Sequence, residues 1–451
     1  MSSGVRDLTR GSIFGQMTNL AFPIMATSFV QMAYNLTDMA WVGRLGSEAA
    51  AAVGTVGLLM WLSSSIAYLS KVGAEITVGQ SIGAGKLDEA KIYASHTTTI
   101  SFIVSLITAC VCFFGADTII LFFKVNDRVS TEAVQYLRVV CTAQPFIFMI
   151  LTFSGIYNAA GRSRIPFYLI STGLVLNMVL DPLMIYGIGN IKGGGVLGAA
   201  FATWISQGVV FILFMWQMKR ANGILSRFPY LIKLRKKYLF RIIRIGLPVM
   251  LTQVLFASIN TYLARIASVY GGHIGVTSQT TGGQIEGVTW YTSLGFSTAL
   301  GAFVAQNYGA GKIERMKKAY RYTLFFMMSL GALMTLCFIF AGKQIFGLFI
   351  PEEQAMKAGG EYLAIMGVSQ VFMTIEITTQ GMFNGLGKTI PPSTISIVFN
   401  LLRIPLAIFL ASVMGITGVW WAISISSLIK GVISPVWFRL ISKKIRQNDS
   451  N

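Results

Sequence analysis

Two stretches decide the fold when set side by side: GQSIGAGKLDEAKIYA (79–94) and AQNYGAGKIERMKKAY (305–320), in which GAGK appears first at 83–86 and again at 309–312. LAFPIM (20–25) matches IGLPVM (245–250), and NAAGRSRIP (158–166) matches NGLGKTIPP (384–392), at almost the same offset. GAAFATWIS (198–206) matches GVWWAISIS (418–426) at a slightly smaller offset, so gaps intervene. The second half of the chain repeats the first.

What is repeated is apolar. The 451 residues are 54% hydrophobic and only 12% charged, where a soluble surface needs roughly 25%. Apolar runs of 20 or more residues recur along the chain, the length a helix needs to cross a hydrocarbon core. Twelve spans are predicted, near 17–41, 50–72, 93–115, 133–158, 166–187, 196–218, 244–269, 280–304, 320–342, 360–384, 391–413 and 415–437. Six spans per half is an even number, so both halves share one orientation, related by an axis along the membrane normal. The expected fold class is an all-α polytopic membrane protein, with twelve transmembrane helices in two six-helix lobes related by pseudo-twofold symmetry. The expected domains are an N-lobe at 1–218, a basic linker at 219–243 and a C-lobe at 244–451 with a basic tail. The 46 glycines suit close helix packing in lipid.

Lys and Arg set the orientation. The linker segment from Lys219 to Arg244 holds nine basic residues and no acid, and the tail RLISKKIRQNDS adds four. Both termini and the linker are expected to face the cytoplasm of a prokaryotic inner membrane. The net charge of +19 follows from this rule. The basic residues lie in short loops without interleaved aromatics, so no nucleic-acid partner is expected. No cleavable signal peptide is expected either. Cys110, Cys112, Cys141 and Cys337 form no CxxC motif, and His96 and His273 are far apart, which speaks against a metal centre or cofactor. No catalytic triad stands out. GAGK lacks the first half of a phosphate-binding loop and follows a membrane span. The chain is not expected to be an enzyme.

Charges inside spans mark pathways, because each costs at least about 2.5–3.5 kcal/mol to insert. Asp38 is the acid of NLTDMAWVGRLG (35–46), late in span one, and Asp181 lies in span five within NMVLDPLMIYG (177–187). Asn177 precedes Asp181 by four residues, on the same helix face, and Pro182 removes a backbone donor beside them. Thr203 lies in span six. Together these side chains are a candidate buried polar cluster in the first half. Two carboxylates in a dry site cannot both stay ionised cheaply, so the cluster is expected to take H⁺ or Na⁺. The plainer alternatives are an interfacial Asp38 met by water or Arg44, and a helix-end Asp181. Lys71 and Glu75 are expected to pair at i,i+4. Glu286 and Glu376 are candidate cavity acids of the second half. Arg403 is read as an anchor for a helix end or a polar contact, and Arg265 and Lys430 as snorkelling side chains. Pro23 stands fifteen residues before Asp38 on one helix, where a kink can respond to charge at Asp38.

With these motifs in their order and spacing, the chain resembles the multidrug and toxic compound extrusion (MATE) transporters along nearly its full length, and within them the DinF-like prokaryotic branch. The resemblance implies secondary antiporters that export organic, often cationic, drugs in exchange for H⁺ or Na⁺ by alternating access, through two six-helix lobes around a central cavity. It assigns cation coupling to Asp38, Asn177, Asp181 and Thr203, cavity lining to Gln31 and Tyr34, and helix bending to Pro23. The NorM-like branch carries a glutamate shortly after GLP on span seven. Here that segment reads GLPVMLTQVLFASIN with no acid, so coupling is expected to rest on the N-lobe. Expected partners are small organic molecules and membrane lipids, with the chain as a monomer. The alternative is a flippase for lipid-linked oligosaccharide or cell-wall precursors. Twelve spans and an acid pair favour drugs over phospholipid-linked sugars.

Overall fold

The computed structural model describes residues 5–188, 191–220 and 228–448. Residues 221–227 of the predicted linker and 449–451 of the predicted tail lie outside the described residues. The chain is helical almost throughout: α1 (Ile13–Gly43), α2 (Ser47–Ile66), α3 (Tyr68–Gly83), α4 (Leu87–Phe114), α5 (Ala116–Leu121), α6 (Asp127–Cys141), α7 (Gln144–Ala159), α8 (Arg164–Tyr186), α9 (Gly195–Arg220), α10 (Lys236–Gly309), α11 (Ile313–Gly347), α12 (Glu353–Gly385), α13 (Ile390–Met414) and α14 (Ile416–Asn448). Between α8 and α9, β1 (Gly187–Ile188) and β2 (Ile191–Lys192) pair antiparallel.

These helices hold the predicted spans. Ten of the described stretches are long and apolar enough to cross a membrane, with α2 and α3 counted as one. The pair α6 and α7, bent by 49°, adds an eleventh. The 74-residue α10 supplies two, because it breaks at Gly272, whose φ of 54° and ψ of −150° are non-helical. Only glycine takes that conformation without strain, which is why the predicted spans 244–269 and 280–304 meet there. Among the described residues the total is twelve.

The chain divides into two compact units. The first comprises Met1–Arg10, Phe22–Met250 and Gly309–Gly311, and the second Gly11–Ala21, Leu251–Tyr308 and Lys312–Asn451. Within the first unit the described end of the linker is docked on α4. Thr98 donates to the Tyr230 carbonyl at 2.9 Å, the Ile232 amide donates to Thr99 Oγ1 at 3.1 Å, and the Arg235 amide donates to His96 Nε2 at 3.1 Å. The other ring nitrogen, Nδ1, meets the Ile92 carbonyl at 2.8 Å. His96 is thus a packing residue.

The sequence repeat is built into the helix ends. Each GAGK closes a helix with its second glycine at positive φ, 73° at Gly85 and 69° at Gly311. In each, the lysine amide reaches back over five residues, Lys86 to the Ser81 carbonyl at 2.9 Å and Lys312 to that of Asn307 at 2.8 Å. This pattern satisfies the last carbonyls of a helix. The second repeated motif does the same: Arg162 meets Tyr157 at 2.9 Å and Lys388 meets Phe383 at 3.0 Å.

Glycines also press paired helices together. A Cβ on Gly198 of α9 would lie 2.0 Å from the Met184 carbonyl oxygen of α8, and one on Gly418 of α14 would lie 2.3 Å from that of Leu410 on α13. Both glycines open the repeated sixth span of their half, and both bring it against the fifth. In the first unit this contact sets the face of α8 carrying Asn177 and Asp181 beside Thr203 on α9. Backbone carbonyls cannot step aside, so Gly198→Val is expected to cost at least the about 1–3 kcal/mol of an overpacked core. It should lower the yield of monodisperse protein in fluorescence-detected size exclusion. Gly54→Val, where nothing lies within 4 Å, should leave the profile unchanged, and equal profiles for the two variants would contradict this packing account.

Candidate functional site

Asn177 and Asp181 are both fully buried on α8. The four-residue spacing does what helix geometry allows: Asn177 Nδ2 donates to Asp181 Oδ1 at 2.9 Å. Asp38, half-buried on α1, receives the Tyr136 hydroxyl of α6 on Oδ2 at 3.5 Å. Asp38 and Asp181 lie within electrostatic range of each other, and Tyr34 and Tyr136 lie within range of both. The Thr203 hydroxyl lies close to those of Tyr34 and Tyr136, but falls short of hydrogen-bond geometry with either. Four of the sequence-predicted residues, Asp38, Asn177, Asp181 and Thr203, therefore meet in one place, with Tyr34 beside them. Gln31, one turn before Tyr34, is exposed. Pro23 lies within α1, and its carbonyl accepts from Thr27 Oγ1 at 2.8 Å.

Six polar atoms with unmet valence gather at this place. Asp38 Oδ1, Asp181 Oδ2, Asn177 Oδ1, Thr203 Oγ1, the Tyr34 hydroxyl and Ser206 Oγ are buried without a hydrogen-bond partner. Hydroxyls on these helices commonly fold back onto the carbonyl four residues earlier, as in Thr27, Thr77 and Thr97; Thr203 and Ser206 do not. A buried polar atom without a partner costs roughly 1–3 kcal/mol. Among the described residues no Lys or Arg lies within 4 Å of either carboxylate. Arg44 sits instead over the Trp41 ring, 4.7 Å from its centroid, so the alternative of an Asp38 met by Arg44 does not hold. Several oxygens and two acids in one buried place suit a proton or a hard monovalent cation. No group of three or more His, Cys, Asp and Glu able to hold a metal ion occurs among the described residues.

Tyr136 and Gln207 are not legible as site residues from the sequence reading above. Tyr136 sits in DRVSTEAVQYLRVVC, whose charges mark it as a helix entering the membrane rather than as a site. Gln207, which approaches Tyr34, carries a usable signal, since it follows Thr203 by four residues.

The second unit holds a different arrangement. Glu376 of α12 pairs with Lys430 of α14, Oε2 to Nζ at 2.9 Å, and its Oε1 accepts from Ser396 at 3.0 Å. Lys430 also donates to Asn400 Oδ1 at 3.2 Å. The lysine is 4% exposed, so it does not snorkel; a buried carboxylate holds it inside the lobe. Arg403, also buried, donates from Nε to Ser426 at 3.1 Å and from Nη2 to Ser427 at 3.2 Å, and lies over the Phe256 ring. It makes the expected polar contact, in mid-helix rather than at a helix end. Phe256 stacks on Trp290 with ring centroids 6.3 Å apart. Glu286 accepts from Tyr362 and from Gln370, each at 3.2 Å. Lys71 and Glu75 interact electrostatically as expected, but form no ion pair within 4 Å. Lys71 reaches back over the Tyr68 ring, 4.7 Å from its centroid.

Breaking a buried ion pair on one side costs about 3–5 kcal/mol, whereas replacing both partners with neutral groups is often close to neutral. Glu376→Gln is thus expected to lower the thermal midpoint of the purified protein clearly. Glu376→Gln with Lys430→Met should recover most of the loss. A double variant no more stable than the single one would show that the pair does not hold this region.

The match to known proteins follows the same duplication. The MatE family model matches residues 23–183 and again 248–409, one copy in each half. The chain is 25% identical over 450 residues to the probable multidrug resistance protein YoeA of Bacillus subtilis, covering 95% of each chain. It is 24% identical over 451 residues to the probable multidrug resistance protein NorM of Thermotoga maritima, covering 94% of this chain and 91% of that one. A solved MATE structure in its bent conformation superposes with a TM-score of 0.92 at 24% identity, over 100% of both chains. With two matched repeats that between them span most of its length, the chain belongs to the MatE family of multi-pass membrane transporters.

Proposed function

We propose that the chain is a secondary antiporter that exports organic, cationic or amphipathic compounds in exchange for H⁺ or Na⁺. The observation that supports this best is the Asp38–Asp181 pair, with unpartnered oxygens around it and no basic side chain against it among the described residues. Such a pair favours uptake of a cation, since each carboxylate raises the cost of charge on the other. Binding neutralises the place, and release restores the repulsion. A site whose charge changes in this way biases a two-state helix only if the two states bind the cation with different affinity. Pro23 supplies a weak point on the helix that carries Asp38, because it cannot donate to the carbonyl one turn earlier. Tyr34 and Gln31 are proposed to line the route of the organic substrate.

The names of the relatives, which are multidrug resistance proteins, support a drug substrate. The flippase alternative needs basic groups free to meet a pyrophosphate. Lys430 and Arg403 are both engaged inside their lobe by Glu376, Asn400, Ser426 and Ser427, which favours the drug reading. We further propose an inner-membrane location with both termini cytoplasmic, a monomer, and no cofactor beyond the exchanged ion.

In proteoliposomes with an imposed pH or Na⁺ gradient, Asp38→Asn is expected to abolish export of a cationic dye while protein insertion stays normal. Asp181→Asn should weaken export and alter its dependence on pH or Na⁺. Full activity of Asp38→Asn, or an unchanged ion profile for Asp181→Asn, would remove this coupling role.

A further inference from the structure

The two lobes can be compared residue by residue through the repeat. Asn177 and Pro182 recur as Asn400 and Pro405, with the same spacing between them. Between them the first lobe has Asp181, matched by Ile404, and the second has Arg403, matched by Leu180, so acid and base replace apolar residues at neighbouring positions. The adjacent Ser206 and Gln207 recur as the adjacent Ser426 and Ser427, in register with the repeated sixth-span motif. In the first lobe, Asn177 Oδ1 and Ser206 Oγ have no partner. In the second lobe the two matching oxygens, and that of Ser427 in the place of Gln207, meet N–H groups of two basic side chains. Asn400 Oδ1 accepts from Lys430 at 3.2 Å, Ser426 from Arg403 Nε at 3.1 Å, and Ser427 from Arg403 Nη2 at 3.2 Å. Ser426 in turn donates to the Phe399 carbonyl at 2.8 Å. The second lobe also supplies its own acid: Glu376 holds Lys430 on one oxygen and Ser396 on the other.

We propose that the second lobe contains a monovalent-cation pocket around the repeated asparagine, with its cation tethered to the chain. The Lys430 ammonium sits among oxygens that would ligate Na⁺, namely the Glu376 carboxylate and Asn400 Oδ1, with the Ser396 hydroxyl on the other oxygen of that carboxylate. The Arg403 guanidinium serves the neighbouring serines. Carboxylate, amide and hydroxyl oxygens are the ligands a hard cation prefers, and an ammonium is the side-chain group closest to such an ion in charge and compactness. A covalently held cation cannot be exchanged. The Glu376 and Asn400 pocket therefore keeps its cation in place and adds no ion dependence of its own. The proposal shares with the antiporter reading the premise that the first-lobe oxygens receive a cation, but its test reads the second lobe by itself.

The test is the thermal midpoint of purified full-length protein in NaCl against choline chloride at equal ionic strength. The background is Asp38→Asn with Asp181→Asn, which silences the first-lobe acids and should respond alike to both salts. Adding Lys430→Met should make the midpoint rise with Na⁺, saturably and by about 2 °C or more, because a ligand that binds only the folded state stabilises it. Adding Glu376→Gln as well should remove the rise. Lys430→Gln, which keeps a donor toward Asn400, is the second variant should Lys430→Met not accumulate. Absence of a Na⁺ response in the Lys430 variants would overturn the proposal. So would a response that survives Glu376→Gln, or failure of both Lys430 variants to fold in either salt.

Discussion

A carboxylate buried in a helix bundle must be answered by something positive or by a proton, because the desolvation of an isolated charge exceeds what any single neutral contact returns. This protein meets that constraint in two ways. Glu376 is answered from within by Lys430 at 2.9 Å. Asp38 and Asp181 are answered only by neutral groups, Tyr136 and Asn177. Glu376 carries its own cation, whereas Asp38 and Asp181 stand together with neutral partners only; Glu286, with Tyr362 and Gln370, stands alone. The proposed exchange of an ion rests on that difference.

The scaffold that presents the two arrangements is duplicated. Helix ends in both halves close on the same reach-back hydrogen bonds, at Lys86 and Lys312 and again at Arg162 and Lys388. Gly198 and Gly418 seat the sixth span of each half on a carbonyl of the fifth. The two halves share backbone turns and glycines while the chemistry beside them diverges: the repeated Asn-to-Pro stretch carries Asp181 in one half and, one position out of register, Arg403 in the other. Function on a shared fold lives in such substituted side chains.

The spans are legible in the sequence because apolar length is a strong signal, and the Asn177–Asp181 contact is legible because the helix period is regular. Asp38 and Thr203 stand out as polar residues in costly places. The break between spans seven and eight is legible as well, since SVYGGHIG interrupts two apolar runs, although which glycine turns the chain is not. Tyr136 is hidden because its helix is amphipathic, with charges that point to the interface. Lys430 reads as a snorkelling residue because its partner Glu376 lies on another helix, and nothing local announces a long-range ion pair. Lys71 and Glu75 show the converse: the right spacing on one helix brings the charges within electrostatic range but not within 4 Å, with the Lys71 ammonium over the Tyr68 ring.

The most direct test of the central claim is a count of protons. Purified protein in weakly buffered, Na⁺-free detergent solution would receive a saturating dose of an organic cation, with the released protons measured by a pH indicator. If the acids of the first lobe hold the exchangeable charge, the unaltered chain releases close to one proton per molecule. Asp38→Asn then releases essentially none, and Glu376→Gln with Lys430→Met releases as much as the unaltered chain. Undiminished release from Asp38→Asn, or loss of release in the second-lobe double variant, would contradict the account.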